Sequence, residues 1–258
     1  VSLAEEAVAK GAEFITTPEY CGGLRTEGSA FTPPSAPEES HPVLNGLRAF
    51  AKNQKKFFLI GSIAINGPDN KILNRSFVID DSGNIISRYD KIHLFDVNLS
   101  ERRSYRESAS VHGGNNAVIC QTPFAIMGQT ICYDLRFPSL YRQLSQSGAE
   151  ILFVPAAFTQ KTGQAHWHVL NRARAIENGA FVVAPCAIGK IDGGGASYGH
   201  SLIINPWGEI LADGGDQAGV IHAVINLDEI GIARQRIPSL RHDKSFDMTD
   251  GVDIKATQ

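Results

Sequence analysis

The chain of 258 residues is short of cysteine and methionine, with four of one and two of the other. Cys21, Cys120, Cys132 and Cys186 are scattered, without a CxxC pair or metal-ligand spacing. That argues against a disulfide scaffold or a structural zinc module and predicts reduced thiols in a cytoplasmic protein. Charge of neither sign dominates: 24 Lys and Arg face 27 Asp and Glu, a net −3. Without a basic stripe, neither nucleic acid nor an anionic membrane is an expected partner. Apolar runs such as Ile151 to Ala157 are far too short to span a bilayer. A secretory leader is not expected either, because Val1 to Gly11 reads as an amphipathic helix. No linker or internal repeat divides the chain, so residues 1–258 are expected to form a single domain. Gly193-Gly194-Gly195 lacks the strand-then-helix context of a phosphate cradle and reads as a loop.

What is present is an alternation of strands and helices. Residues are 43% hydrophobic, enough for one large core. Strands are expected at Glu13–Thr17, Phe57–Ile65, Lys71–Asp80, Ile85–Tyr89, Ile151–Pro155, Phe181–Pro185 and Val220–Asn226, with a hairpin of Ser201–Asn205 and Glu209–Asp213 around Pro206-Trp207-Gly208. Helices are expected at His41–Gln54, from about Gln164 to Asn178 with Gly179 as C-cap, and at Asp228–Arg236. Cys21–Glu39 reads as a loop over the surface or over a site, and Asp96–Asn116 as irregular and polar. The class is α/β with more than one sheet layer, since many strands are apolar on both faces.

The run Ala125-Ile126-Met127-Gly128-Gln129-Thr130-Ile131-Cys132 places a thiol at the end of a buried strand. Asp134 is then expected to cap a helix through Leu140, Tyr141 and Leu144. A thiol at such a corner is rigidly held, and a helix N-terminus favours the thiolate. A buried structural Cys explains the same run equally well.

A thiol nucleophile needs a base, a cation or N–H pair for an oxyanion, and a proton for the leaving group. No histidine stands in a recognisable cysteine-protease context. Glu19 ends an apolar strand, where an acid must find a cation or carry a proton with raised pKa. Taken singly, Glu19 reads as a solvated strand end, Lys91 as a surface Lys paired with Asp90 or Asp96, and Glu107 as a loop acid.

Together these segments resemble a known family. Thr17-Pro18-Glu19, Tyr89-Asp90-Lys91-Ile92-His93-Leu94-Phe95 and Ile131-Cys132-Tyr133-Asp134-Leu135-Arg136-Phe137-Pro138 resemble, in order, the three signature motifs of the nitrilase superfamily of carbon–nitrogen hydrolases. Glu107 and Cys132 follow Lys91 by 16 and 41 residues, as in its amidase branch. The resemblance implies a four-layer α-β-β-α sandwich and hydrolysis of an amide through a Cys132 thioester. By the same resemblance Glu19 moves the proton, Lys91 and the Tyr133 N–H hold the oxyanion, and Glu107 holds Lys91 or the substrate. No metal or organic cofactor is implied, and a homodimer or higher homo-oligomer is. The resemblance also implies a strand ahead of the first helix; that strand is missing here, so a truncated sequence is expected.

Gly163 to Leu170, Arg172 to Glu177 and Tyr198-Gly199-His200-Ser201 resemble the branch with deaminated glutathione amidase and omega-amidase, leaning to the first. Aliphatic or N-carbamoyl amide hydrolysis and a binding scaffold without chemistry are the alternatives. Carboxylate-bearing substrates call for a cation, with Arg136, Arg172, Arg174 and Lys161 as candidates. Arg136 ranks lowest, because a structural pair with Asp134 is as plausible. Phe158, Thr159 and Cys186 are candidate pocket residues, although Cys186 and Trp167 read better as core.

Overall fold

The computed structural model describes residues 2–100 and 103–248. Val1 of the expected first helix and residues 249–258 of the expected domain lie outside them. Helix α1 (Ser2–Ala9) leads to strand β1 (Phe14–Thr16), and α2 (Pro42–Gln54) to β2 (Phe57–Asn66), β3 (Ile72–Ile79) and β4 (Ile85–Asp90). These strands form one sheet in the order β1-β2-β3-β4, parallel at β1/β2 and antiparallel thereafter. The second sheet runs β5 (Val118–Gln121), β6 (Ile126–Gln129), β7 (Ile151–Phe153), β8 (Phe181–Ala184), β9 (Leu202–Ile204) and β10 (Ile210–Asp213). Its parallel centre, β6-β7-β8, is connected through α3 (Pro138–Gln146) and α4 (His168–Asn178). Helix α5 (Asp228–Arg236) follows.

The layering comes from the two-residue period of the strands. Phe58 and Ile60 of β2, with Phe77 and Ile79 of β3, pack on Ala4 and Ala7 of α1 and on Leu44, Leu47, Phe50 and Ala51 of α2. Leu59 and Val78, between them in sequence, point the other way and meet Met127, Ile151, Phe153, Phe181 and Val183 of the second sheet. The alternate residues of that sheet, Leu152, Val182 and Ile204, pack on Leu140, Tyr141 and Leu144 of α3 and Ala175 of α4. The result is the expected α-β-β-α sandwich. Leu59 is fully buried between the sheets, so truncating it to Ala costs about 2–5 kcal/mol.

Four expectations need correction. Asp96–Asn116 is not irregular: Asp96–Ser100 and Arg103–Arg106 pair as a hairpin that runs into a 3-10 turn at Glu107–Ala109. Val220–Asn226 forms no strand, although Ile221, Ala223 and Ile225 still pack against the inter-sheet core. The α-helix after Cys132 starts only at Pro138, because residues 132–136 form a separate 3-10 turn. Between Gln160 and Asn178 the helix is interrupted by a π turn at Gly163–Trp167, with Gly179 as the left-handed C-cap.

Candidate active site

Glu19 is positioned by an irregularity in β2. Register against β3 shifts between Ile60 and Ile63. In that bulge Ser62 N–H donates to Pro18 O, while the Ser62 hydroxyl oxygen and carbonyl accept from the N–H groups of Tyr20 and Cys21. Only glycine fits beside it: a Cβ on Gly61 would lie 1.9 Å from Thr17 O. Tyr20 follows in the left-handed region, at φ 50°. The Glu19 side chain is thereby turned into the protein, 4% exposed.

Lys91 follows β4 directly and is 2% exposed. Its ammonium donates to Glu19 Oε1 at 2.9 Å and to Glu107 Oε2 and Oε1 at 2.9 and 3.1 Å. Glu107, with no exposure, also accepts from Phe95 N–H at 2.6 Å and from the Tyr20 hydroxyl at 3.3 Å. Burial disfavours the Lys91 ammonium, but Glu107 and Glu19 outweigh it and hold the pKa well above the usual lysine range. One buried ammonium thus sits between two carboxylates.

Asn74 of β3 ties the group together, and the sequence reading missed it. Its Nδ2 donates to Glu19 Oε1 at 2.8 Å and Glu107 Oε1 at 3.2 Å, while its backbone carbonyl accepts from Lys91 N–H at 3.0 Å. The signal was an amide in the apolar strand Ile72–Ile79, since Asn is depleted in strands. Tyr20 and the Ala157 N–H, which donates to Glu19 Oε2 at 2.9 Å, were missed as well. A backbone donor leaves no trace in sequence.

Cys132 sits at a corner after β6, in the left-handed region at φ 49°, with its N–H on Pro155 O at 2.9 Å. A non-glycine residue in that region is held there by its surroundings. Asp134, fully buried, accepts from Ile131 N–H at 2.8 Å, the Tyr89 hydroxyl at 2.6 Å and His93 N–H at 3.0 Å. It therefore fixes the turn to the segment carrying Lys91. The Tyr133 N–H precedes the first bond of this 3-10 turn, Asp134 N–H to Ile131 O, so it is not consumed within it. The thiolate expected from a helix N-terminus is not favoured at rest. Burial first, then Glu19, push the Cys132 thiol well above its ordinary range, and Lys91 only partly offsets them. The Cys132 thiol therefore holds its proton more tightly than a free cysteine, with the Glu19 side chain beside it.

Glu19, Lys91, Cys132, Tyr133 and Phe158 line one open-mouthed pocket with about 460 Å³ of free space, mouth included. Phe31, Phe95 and Tyr105 supply further aromatic wall, and Thr26, Thr159 and Thr162 the polar patches. Such a pocket suits a small ligand that sets its reacting end on the charged floor and its remainder against aromatic and threonine walls.

The candidate cations separate clearly. Arg174 is buried away from the pocket, donating to Leu135 O and pairing with Glu177 at 2.8 Å. Arg172 donates to Gly208 O, and Lys161 is exposed; neither lines the pocket. Arg136, ranked lowest, does not pair with Asp134, whose acceptors are already taken. It does not line the pocket either: its guanidinium nitrogens lie 3.3 Å from His166 Nδ1, and it sits behind the wall, 5.3 Å from the Phe158 ring centre and 5.9 Å from that of Tyr133. Cys186 belongs to the core, and Trp167 is fully buried with its indole N–H on His200 O.

A buried thiol, ammonium and carboxylate gathered past the strand ends of a two-sheet α/β sandwich mark a nitrilase-like fold. The chain belongs to the carbon–nitrogen hydrolase family, whose model matches residues 1–235. Within it the chain falls on the amidase branch, as an enzyme hydrolysing amide C–N bonds. It is 40% identical over 248 residues to the deaminated glutathione amidase of Synechocystis sp. strain PCC 6803, covering 93% of this chain and 89% of that one. It is 31% identical over 244 residues to the omega-amidase NIT2 of Homo sapiens, covering 95% and 87%. Among solved structures, Saccharomyces cerevisiae Nit3, a member of branch 10 of the nitrilase superfamily, superposes with a TM-score of 0.80 at 27% identity, covering 92% and 86%.

Proposed function

We propose that the protein hydrolyses the ω-amide of a small α-keto acid, with deaminated glutathione as the best-fitting substrate. The observation carrying the amide chemistry is the buried contact of Lys91 with Glu19 at 2.9 Å in the pocket that also holds Cys132, and the choice of substrate is supported by the likeness to deaminated glutathione amidases. Cys132 attacks the amide carbon as Glu19 takes the thiol proton. Lys91 and the Tyr133 N–H hold the negative oxygen of the tetrahedral intermediate. Protonated Glu19 gives its proton to the nitrogen, ammonia leaves and a thioester remains. Glu19 then takes a proton from water, which attacks the thioester; the acid leaves and the Cys132 thiol is reprotonated. Glu107 is a positioning residue that holds Lys91. Arg136, just behind the aromatic wall, attracts the substrate carboxylate. The scattered cysteines support a cytoplasmic protein and the lack of a linker a single domain over residues 1–258, while the resemblance supports a homo-oligomer whose chemistry calls on no cofactor.

The test is ammonia release from deaminated glutathione, α-ketoglutaramate, a simple aliphatic amide and an N-carbamoyl amino acid, with Cys132→Ala beside the wild type. Preference for deaminated glutathione, abolished by Cys132→Ala, supports the reading. Preference for α-ketoglutaramate moves the substrate to the omega-amidase class. Release that persists in Cys132→Ala overturns the mechanism.

A further inference from the structure

On the outer side of α4, three side chains from separate elements converge that play no part in the proposed chemistry. His168 opens α4, His200 follows the strand Ala196–Tyr198, and Asp213 ends β10. His168 Nε2 lies 3.0 Å from Asp213 Oδ2, and His200 Nδ1 lies 2.9 Å from Oδ1 and 3.2 Å from Oδ2. The three donor atoms all fall within 4.8 Å of one another. Side-chain exposures of 25–33% leave room for water on the open side.

We propose that His168, His200 and Asp213 form a binding site for a late first-row divalent cation of the zinc class. Two imidazole nitrogens and one carboxylate oxygen suit zinc, cobalt, nickel or copper, and not the all-oxygen shells of magnesium and calcium. Tetrahedral ligands with bonds near 2.0 Å stand about 3.3 Å apart, so the two His–Asp spacings need to open by only a few tenths of an ångström, while the two imidazole nitrogens already lie within 4.8 Å of each other. Solvent supplies the fourth ligand. On binding, His168 carries its proton on Nδ1 and His200 on Nε2, freeing the two lone pairs that face Asp213.

The surrounding backbone is shaped to hold this arrangement. The π turn at Gly163–Trp167 shifts the facing of His168 by roughly 100° relative to an uninterrupted helix, the angle of one residue. Gly163 has no Cβ, which would lie 2.2 Å from Tyr198 Cγ, so the Tyr198 ring can sit against that turn. Tyr198 stacks on the His200 ring, with centroids 4.5 Å apart. His200 is itself in the left-handed region at φ 53°, its N–H on Gly215 O and its carbonyl on the Trp167 indole. Trp167 packs on Phe158 of the pocket wall, with centroids 5.0 Å apart. A bound ion would therefore tie α4 to β10 and stiffen the support behind that wall.

The test uses the full chain stripped of metal with a chelator and titrated with Co(II), then with Zn(II) in competition. One equivalent should bind with a micromolar dissociation constant, giving visible d–d bands without a thiolate charge-transfer band. Zn(II) should displace it and raise the melting temperature. Asp213→Asn and His168→Gln should each weaken binding by about tenfold or more. X-ray absorption of the Zn(II)-loaded wild type, which requires no variant, should show imidazole scattering and no sulfur. A sulfur shell or a thiolate band would place the ion on a cysteine and overturn the proposal. Millimolar-only binding, or wild-type affinity in Asp213→Asn, would do the same and leave a hydrogen-bonded staple.

Discussion

Replacing Glu107 by Gln removes one charge and almost no volume, yet the structure predicts a large effect. Every group facing this carboxylate donates to it: Phe95 N–H, the Lys91 ammonium, Asn74 Nδ2 and the Tyr20 hydroxyl. A Gln side chain offers one acceptor oxygen and one NH2. Whichever way it turns, the NH2 meets a donor. With NH2 at the Oε2 position, the bonds from Phe95 N–H and from Lys91 are lost; at Oε1, those from Asn74 and Lys91 are, while the Tyr20 hydroxyl can turn to accept. Hydrogen bonds to charged groups contribute about 1.5–3 kcal/mol each, so losing one outright and weakening the Lys91 contact, which keeps the other oxygen, costs about 2–5 kcal/mol. At roughly 2–4 °C per kcal/mol for a chain of this size, melting should drop by about 4–20 °C. If half of that cost also misplaces Lys91 in the transition state, kcat falls by about 5- to 70-fold, since 1.36 kcal/mol is tenfold. Thermal melting and ammonia release on the same preparation read both quantities. A variant within threefold of wild-type kcat/KM and within 1 °C of its melting temperature would refute the argument that Glu107 holds Lys91 through an all-donor shell.

The remaining predictions concern the same centre. Asn74→Ala should lower kcat by about 10- to 100-fold, from loss of a charge-assisted bond to Glu19, and should shift the pH profile of Cys132 alkylation; an unchanged profile would leave Asn74 merely structural. Arg136→Met should raise KM for a carboxylate-bearing ω-amide by about tenfold or more while leaving a simple aliphatic amide unaffected; equal loss on both would remove Arg136 from recognition. Lys91 and Cys186 hold their protons more tightly folded than unfolded, Cys186 being pushed up by burial to about 12. Their stabilising contribution is whole below the unfolded pKa and is lost as pH rises toward the folded one, so melting should decline above about pH 8.5. Calorimetry should find that decline shallower in Cys186→Ala, and the same slope in both proteins would count against it.

What could be read from the sequence and what could not divide along physical lines. Strands such as Phe57–Ile65 were legible because a run buried on both faces has a distinctive composition, and the helix at Asp228–Arg236 agrees with its charges, acidic Asp228 and Glu229 in the first turn and basic Arg234 and Arg236 in the last. Cys132, Glu19 and Lys91 were legible only together, through a resemblance of motifs; singly, each had an equally good ordinary explanation. The misreadings share one cause, in that each depended on partners distant in sequence. Asp134 resembled a helix cap because Asp favours that position, and it does accept the Ile131 N–H; its other acceptors serve Tyr89 and His93, from the segment that brings in Lys91. Arg174 resembled a substrate cation because a free guanidinium is one, whereas here it is consumed by Leu135 O and Glu177. Arg136 was demoted for a partner that the fold had already assigned elsewhere. Candidate recognition residues are thus decided less by their own chemistry than by which acceptors the tertiary structure has left unoccupied. The same logic explains why Asn74 escaped notice: its value lies in touching Glu19, Glu107 and Lys91 at once, a relation that exists only after β3, the Glu19 turn and the 3-10 turn at Glu107 have been brought together.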